Sequence, residues 1–133
     1  MRLLSIILQF LANPLVANSV MSKPELLYFN FAGRAEAFRT LFHIGGVDFE
    51  DTRFSGKDWP SIKPTTPLGS VPVLKIDGLE YCQSVSLARY AAKLAGWYPE
   101  APLDALKCDM IAESTNELTT KFPKVRSKDI YLL

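Results

Sequence analysis

Several things are scarce in this 133-residue chain, and each scarcity closes off a class of protein. Two cysteines, Cys82 and Cys108, are too few for a disulfide scaffold, and with a single histidine they cannot complete a Cys/His zinc site. No lysine or arginine stands next to another, and fifteen basic residues against fourteen acidic ones leave a formal charge of +1. A surface that tracks nucleic-acid phosphates is therefore not expected. No apolar stretch reaches the roughly 20 residues that a membrane helix needs, because Gln9, Asn13 and Pro14 interrupt the one that comes nearest. What remains is an ordinary globular composition, 48% hydrophobic and 22% charged, at a length that suits one domain or one small domain with part of another.

The first twenty residues differ from the rest. Arg2 precedes a mostly apolar stretch from Leu3 to Ala17, and small residues follow at Ala17 and Ser19, the layout of a secretory signal peptide cleaved after Ser19. Met21-Ser22-Lys23-Pro24 reads equally well as a natural start, which makes residues 1–20 an extension without a structural role. Both readings stay open, and both leave the segment out of the fold.

From Pro24 the pattern becomes regular. Glu25-Leu26-Leu27-Tyr28-Phe29 is short, apolar and aromatic, and predicts a buried strand. Arg34 to Ile44 predicts an amphipathic helix with Ala35, Phe38 and Phe42 on one stripe, ended by Gly45-Gly46. Val47 to Arg53 alternates over its first half and predicts a half-buried strand, while Gly56, Pro60, Pro64 and Pro67 make the following stretch a loop. Val71 to Ile76, Asp77-Gly78 and Leu79 to Cys82 predict a hairpin, since Asp-Gly supplies the positive φ of a tight turn. Ser84 is placed as the cap of a helix carrying Leu87, Ala88, Ala91 and Leu94 and ending at Gly96. A last helix runs from Leu103 to about Lys121 and stops before Pro123. The fold class is thus α/β: a βαβ–ββα domain over 24–99, then over 103–133 the first helix of an all-α region.

These residues, in this order, carry a resemblance. Leu27-Tyr28-Phe29-Asn30, Gly33-Arg34-Ala35-Glu36, Asp58-Trp59-Pro60 with Lys63, Gly69-Ser70-Val71-Pro72-Val73-Leu74, Asp77-Gly78, Gln83-Ser84 and Ala88-Arg89-Tyr90 closely resemble the amino-terminal, thioredoxin-like domain of glutathione S-transferases, the sigma class above all. The likeness covers about residues 24–123.

The resemblance implies roles that the residues can fill chemically. A glutathione thiol behaves much as a free cysteine with a pKa of about 8.5, so little of it is the attacking thiolate at neutral pH. A phenol keeps its proton there and can donate a hydrogen bond to sulfur, which is the catalytic role implied for Tyr28. Thioredoxin-like enzymes that use their own thiol need a cysteine before the first helix, where this chain has Phe31-Ala32-Gly33. Arg34 is implied beside the tyrosine and the sulfur. Phe29, Trp59 and Lys63 join the glutathione contacts, the indole N–H and the ammonium meeting the glycine carboxylate. Val71-Pro72 is implied to be cis and to pair with the cysteinyl backbone, and Gln83-Ser84 at a helix amino terminus to hold the γ-glutamyl carboxylate.

Departures from the pattern also count. Ser70 stands where sigma-class relatives often carry lysine, and Glu117 keeps, on a longer side chain, the acidic group that reaches a neighbouring subunit's glutathione in dimeric relatives. Of the helical second domain only the first helix is matched, and Arg126 to Leu133 shows no likeness, so the second domain reads as truncated and the pocket for a small electrophilic substrate as mostly absent. The implied function is a transferase that activates glutathione for attack on an electrophile or for isomerisation, without a metal, cytoplasmic or secreted according to how residues 1–20 are read, and a homodimer if the second domain were complete. The alternative is a non-catalytic glutathione-binding or protein-interaction module, or an inactive product.

Overall fold

The computed structural model describes residues 22–121. The signal-like segment, Pro123 and the stretch from Arg126 to Leu133 lie outside the described residues. The elements are β1 (Glu25–Phe29), a 3-10 turn (Gly33–Ala35), α1 (Glu36–Ile44), β2 (Glu50–Phe54), α2 (Trp59–Ile62), a second 3-10 turn (Lys63–Thr65), β3 (Val73–Ile76), β4 (Leu79–Cys82), α3 (Ser84–Leu94) and α4 (Pro102–Lys121). The chain divides into two compact units between Trp97 and Tyr98.

In the first unit one four-stranded sheet runs in the order β2-β1-β3-β4. β1 and β2 are parallel and need a crossover, which α1 supplies; β3 is antiparallel to β1 and to β4. This is the expected βαβ–ββα plan. Alternation along β1 buries Leu26 and Tyr28 on one face, where they meet Ala35, Phe38 and Phe42 from the first helical stretch, Leu74 and Ile76 from β3, and Leu87 and Ala91 from α3. Each large apolar side chain in that cluster contributes about 1.5–3 kcal/mol by leaving water. The β3–β4 turn has Asp77 at φ 50 and Gly78 at φ 77, both positive as the two-residue hairpin requires. Ser22 braces that turn: its N–H donates to Asp77 Oδ1 at 2.8 Å and its hydroxyl accepts the Asp77 N–H at 2.9 Å.

Three elements depart from the sequence reading. The second strand starts at Glu50 rather than Val47. Its first ladder contact is the Glu50 N–H on Pro24 O at 2.7 Å, while the Val47 N–H bonds back to Phe42 O at 2.9 Å and so belongs to the close of α1. Val47 and Phe49 do pack on the core, which is the signal that the alternation carried. The proline-rich loop holds the short α2, with Pro60 in its first turn, where a missing N–H is tolerated. Ser84 is not the cap of α3: Gln83 is, at φ 77 and ψ 104, with no side-chain hydrogen bond, and Ser84 is the first helical residue.

The second unit is α4 and the residues leading into it. Tyr98 donates its hydroxyl proton to Asp109 Oδ2 at 3.0 Å. Leu103, Leu106, Met110, Ile111 and Leu118 are exposed. No described helix is long and apolar enough to cross a membrane.

Candidate functional site

Strand register brings the chemistry-bearing segments to one end of the sheet. β1 ends beside the end of β2, with Phe29 opposite Phe54, so the loop carrying Trp59 and Lys63 leaves there. The last β1–β3 pair is Leu27 with Val73; continuing the two strands past it runs Tyr28 and Phe29 alongside Pro72 and Val71. Val73 faces Cys82 on β4, so Gln83 and Ser84 emerge at the same end. Ligands of open α/β sheets bind outside the carboxyl ends of the parallel strands, which is this end. With strands about 4.8 Å apart, the row from the end of β2 to the end of β4 is about 14 Å wide.

Tyr28 stands at the centre of this row. Its ring is 5% exposed and locked in the core, and its hydroxyl oxygen accepts the Arg34 backbone N–H at 3.0 Å. A phenolic oxygen has two acceptor positions and one proton to give. The N–H occupies one acceptor position, polarises the group, and leaves the O–H proton for an outside acceptor. Gly33, at φ 52, makes the approach possible: a Cβ there would sit 2.6 Å from Tyr28 Oη and 2.8 Å from the Phe31 ring. For Arg34 it is thus the main chain that meets the phenol.

On the β2 side, aromatic rings set the Trp59 indole. It lies parallel to Phe54, centroids 5.9 Å apart at 13°, and against Phe29 at 5.5 Å. Phe31, exposed, stacks on Phe29 at 5.3 Å and 12°. The turn before α2 is pinned by Asp58, whose carboxylate accepts the Ser55 hydroxyl at 2.7 Å and the Ser55 N–H at 3.0 Å; these bonds hold its pKa below the ordinary carboxylate value. Lys63 is exposed, and its ammonium has no ion-pair partner among the described residues.

On the other side the Val71-Pro72 bond is cis. Pro72 cannot donate to a ladder, so β3 begins only at Val73. Val71 packs half-buried against the core that includes Tyr28. Gln83 at φ 77 is a positive-φ residue without glycine's freedom, a conformation that costs about 1–3 kcal/mol and clusters at binding sites. It turns the chain into α3, whose first turn carries no acidic residue and presents unpaired N–H groups with the positive end of the helix dipole. The row therefore has a cation at one end, a positive helix terminus at the other and a phenol between.

Glu117 lies elsewhere, on α4 in the second unit, exposed and paired with Lys121 at 2.6 Å. Cys82, half-buried on β4 beside the row, has its thiol pKa raised by burial and then by Glu80. No group of three or more His, Cys, Asp or Glu residues placed to hold a metal occurs among the described residues.

One residue escaped the sequence reading. Arg39 is 6% exposed, with Nε on both Asp51 oxygens at 3.1 and 3.0 Å and its other nitrogens on the carbonyls of Phe31 at 2.9 Å and Phe29 at 3.3 Å. The signal was there: after Ala35, Phe38 and Phe42, position 39 completes the inward face of α1, and a charge on that face calls for partners.

Comparison with known proteins places this arrangement. No family model matches the chain. It is 42% identical over 103 residues to hematopoietic prostaglandin D synthase of Gallus gallus, covering 77% of this chain and 52% of that protein. It is 39% identical over 100 residues to glutathione S-transferase S1 of Drosophila melanogaster, covering 75% of this chain and 40% of that one. Among solved structures, prostaglandin synthase D of Nilaparvata lugens superposes with a TM-score of 0.72 at 40% identity, over 77% of this chain and 51% of that one. The chain spans about half the length of the curated relatives it matches.

Proposed function

Because the chain belongs to the glutathione S-transferase family, on its prostaglandin D synthase-like side, we propose that it binds glutathione across the end of the sheet and activates the thiol through Tyr28. An extended tripeptide is about 10 Å long, and its carboxylates reach further, which fits a row about 14 Å wide. The charges fit as well. Lys63, with the Trp59 indole N–H, takes the glycine carboxylate, and the α3 amino terminus at Gln83 and Ser84 takes the γ-glutamyl carboxylate. Val71 offers its backbone to the cysteinyl residue between them, with Phe29 supporting the floor.

The observation that carries the reading is the Arg34 N–H on Tyr28 Oη. It leaves the phenol one proton to donate, at the level in the sheet where the central residue of a bound tripeptide lies. That bond favours thiolate over thiol, worth about 1.4 kcal/mol for each unit by which the thiol pKa falls. The thiolate then attacks a small electrophile; with an aryl halide the S–C bond forms and halide leaves with its bonding pair. Arg34 adds positive charge beside the sulfur. The same thiolate serves an isomerisation in which glutathione is regenerated.

The test is turnover of an aryl halide with glutathione by the full chain and by Tyr28→Phe. A fall of about tenfold or more in the variant is expected, the general size of losing a positioned proton donor. Equal rates would remove the catalytic assignment. One observation favours a second reading, glutathione binding without turnover: the apolar residues of α4, Leu103, Leu106, Met110, Ile111 and Leu118, are all exposed. Calorimetric titration with glutathione separates the two, since heat of binding without turnover supports the second.

A further inference from the structure

We infer that Arg39, together with Asp51, is the positioning residue for the thiol-activating hydroxyl; this rests on the reading of Tyr28 above. Tyr28 is flanked by a strand end and a sharp turn, and its oxygen is useful only if the Arg34 N–H stays where it is. Nothing in residues 29–33 fixes that turn by itself: Phe31 is exposed, Gly33 is at φ 52, and the 3-10 turn Gly33–Ala35 has no side-chain cap bond. The Arg39 guanidinium supplies the missing fixation from inside. It donates to Phe29 O at 3.3 Å and Phe31 O at 2.9 Å, and lies within 3.5 Å of Ala32 O. Three successive points of the turn are thereby held to one rigid group. That group is itself fixed by both oxygens of Asp51 on β2 and by Glu36 at 3.4 Å, and its Cζ stands 5.6 Å from the Tyr28 ring centroid.

The geometry thus ties ring and turn to one guanidinium. The ring is held by packing and by the cation beside it, the turn by the fork of donors, and the Arg34 N–H to Tyr28 bond joins the two. Arg39 does not reach the ligand row; it acts through Tyr28. Lysine in its place keeps the charge but cannot span three carbonyls and a carboxylate together.

The experiment compares the full chain with Arg39→Lys, with two readouts. The first needs no ligand: amide exchange at Arg34 relative to core amides such as Phe42 and Leu87. The second is the pH profile of turnover at saturating glutathione. Expected in Arg39→Lys are Arg34 exchange faster by about tenfold relative to the core, a pH profile moved up by about one unit, and a KM for glutathione changed by less than about threefold. A folded Arg39→Lys with parental Arg34 exchange and a parental profile overturns the inference. If Arg39→Lys does not fold, Asp51→Asn decides, since it leaves the carbonyl contacts but loosens the anchor: shifts in the same direction support the inference, and parental behaviour overturns it. A parent chain that turns nothing over would fail the reading of Tyr28, a result distinct from an active parent whose profile the variants leave unmoved.

Discussion

Substituting Gly33 by alanine tests the local architecture with the fewest assumptions, because two separable penalties meet there. At φ 52 an alanine sits in the left-handed region, which costs about 1–2 kcal/mol. Its Cβ would also lie 2.6 Å from Tyr28 Oη, about 0.8 Å short of the 3.4 Å of ordinary contact. The Phe31 ring, 57% exposed, can swing aside, but the Tyr28 ring is 5% exposed and cannot follow without disturbing the core. The hydroxyl then loses the Arg34 N–H, a net loss of about 0.5–1.5 kcal/mol. Gly33→Ala should therefore destabilise the chain by about 2–4 kcal/mol in all. Gly78→Ala isolates the first penalty, since Gly78 is at φ 77 with nothing within 4 Å of a Cβ. Denaturant titration of both variants gives the difference, and glutathione turnover should fall in Gly33→Ala and persist in Gly78→Ala. A Gly33→Ala chain as stable as Gly78→Ala, and as active as the parent, would refute the placement of the hydroxyl.

Other consequences follow from the same geometry. Ser84→Ala should change stability by less than about 0.5 kcal/mol, because Ser84 makes no capping bond, yet weaken glutathione binding about tenfold through the lost bond to a carboxylate; denaturation and calorimetry report the two, and a stability loss without an affinity loss would contradict the assignment. Cys82, its pKa raised first by burial and then by Glu80, should carry less thiolate at neutral pH than a free cysteine, so a haloacetamide should label exposed Cys108 first. The sign is fixed: with a raised pKa, Cys82 labelling should keep climbing with pH beyond the free-cysteine value of about 8.5, as read by mass spectrometry. Equal labelling at neutral pH would count against the burial of Cys82.

Local pattern carried much of the fold. The aromatic run of β1, the stripe of Ala35, Phe38 and Phe42, and the Asp77-Gly78 turn each satisfy a rule that needs only neighbouring residues, and each lies where the pattern put it. The second strand slid by three residues because its start is set by Pro24, a partner distant in sequence, while Val47 and Phe49 advertise burial rather than pairing. Ser84 looked like a cap because serine usually is one; the helix entrance is instead shaped by Gln83 in a conformation that propensity disfavours. The candidate site was legible only through the family resemblance. Taken singly, Tyr28, Lys63 and Ser84 are an ordinary core tyrosine, loop lysine and helix serine. What joins them is strand register, which no local pattern states. Arg39 escaped notice for the converse reason, since its partners are main-chain carbonyls and Asp51, none of which leaves a mark at the arginine's own place in the sequence.

The most direct measurement is the ultraviolet titration of the glutathione thiolate bound to the parent chain and to Tyr28→Phe. A bound thiol ionising at least one unit below the free-thiol value of about 8.5, with that shift largely lost in the variant, is the predicted result. A bound thiol that titrates like free glutathione, or a variant whose curve overlays the parent's, would contradict it.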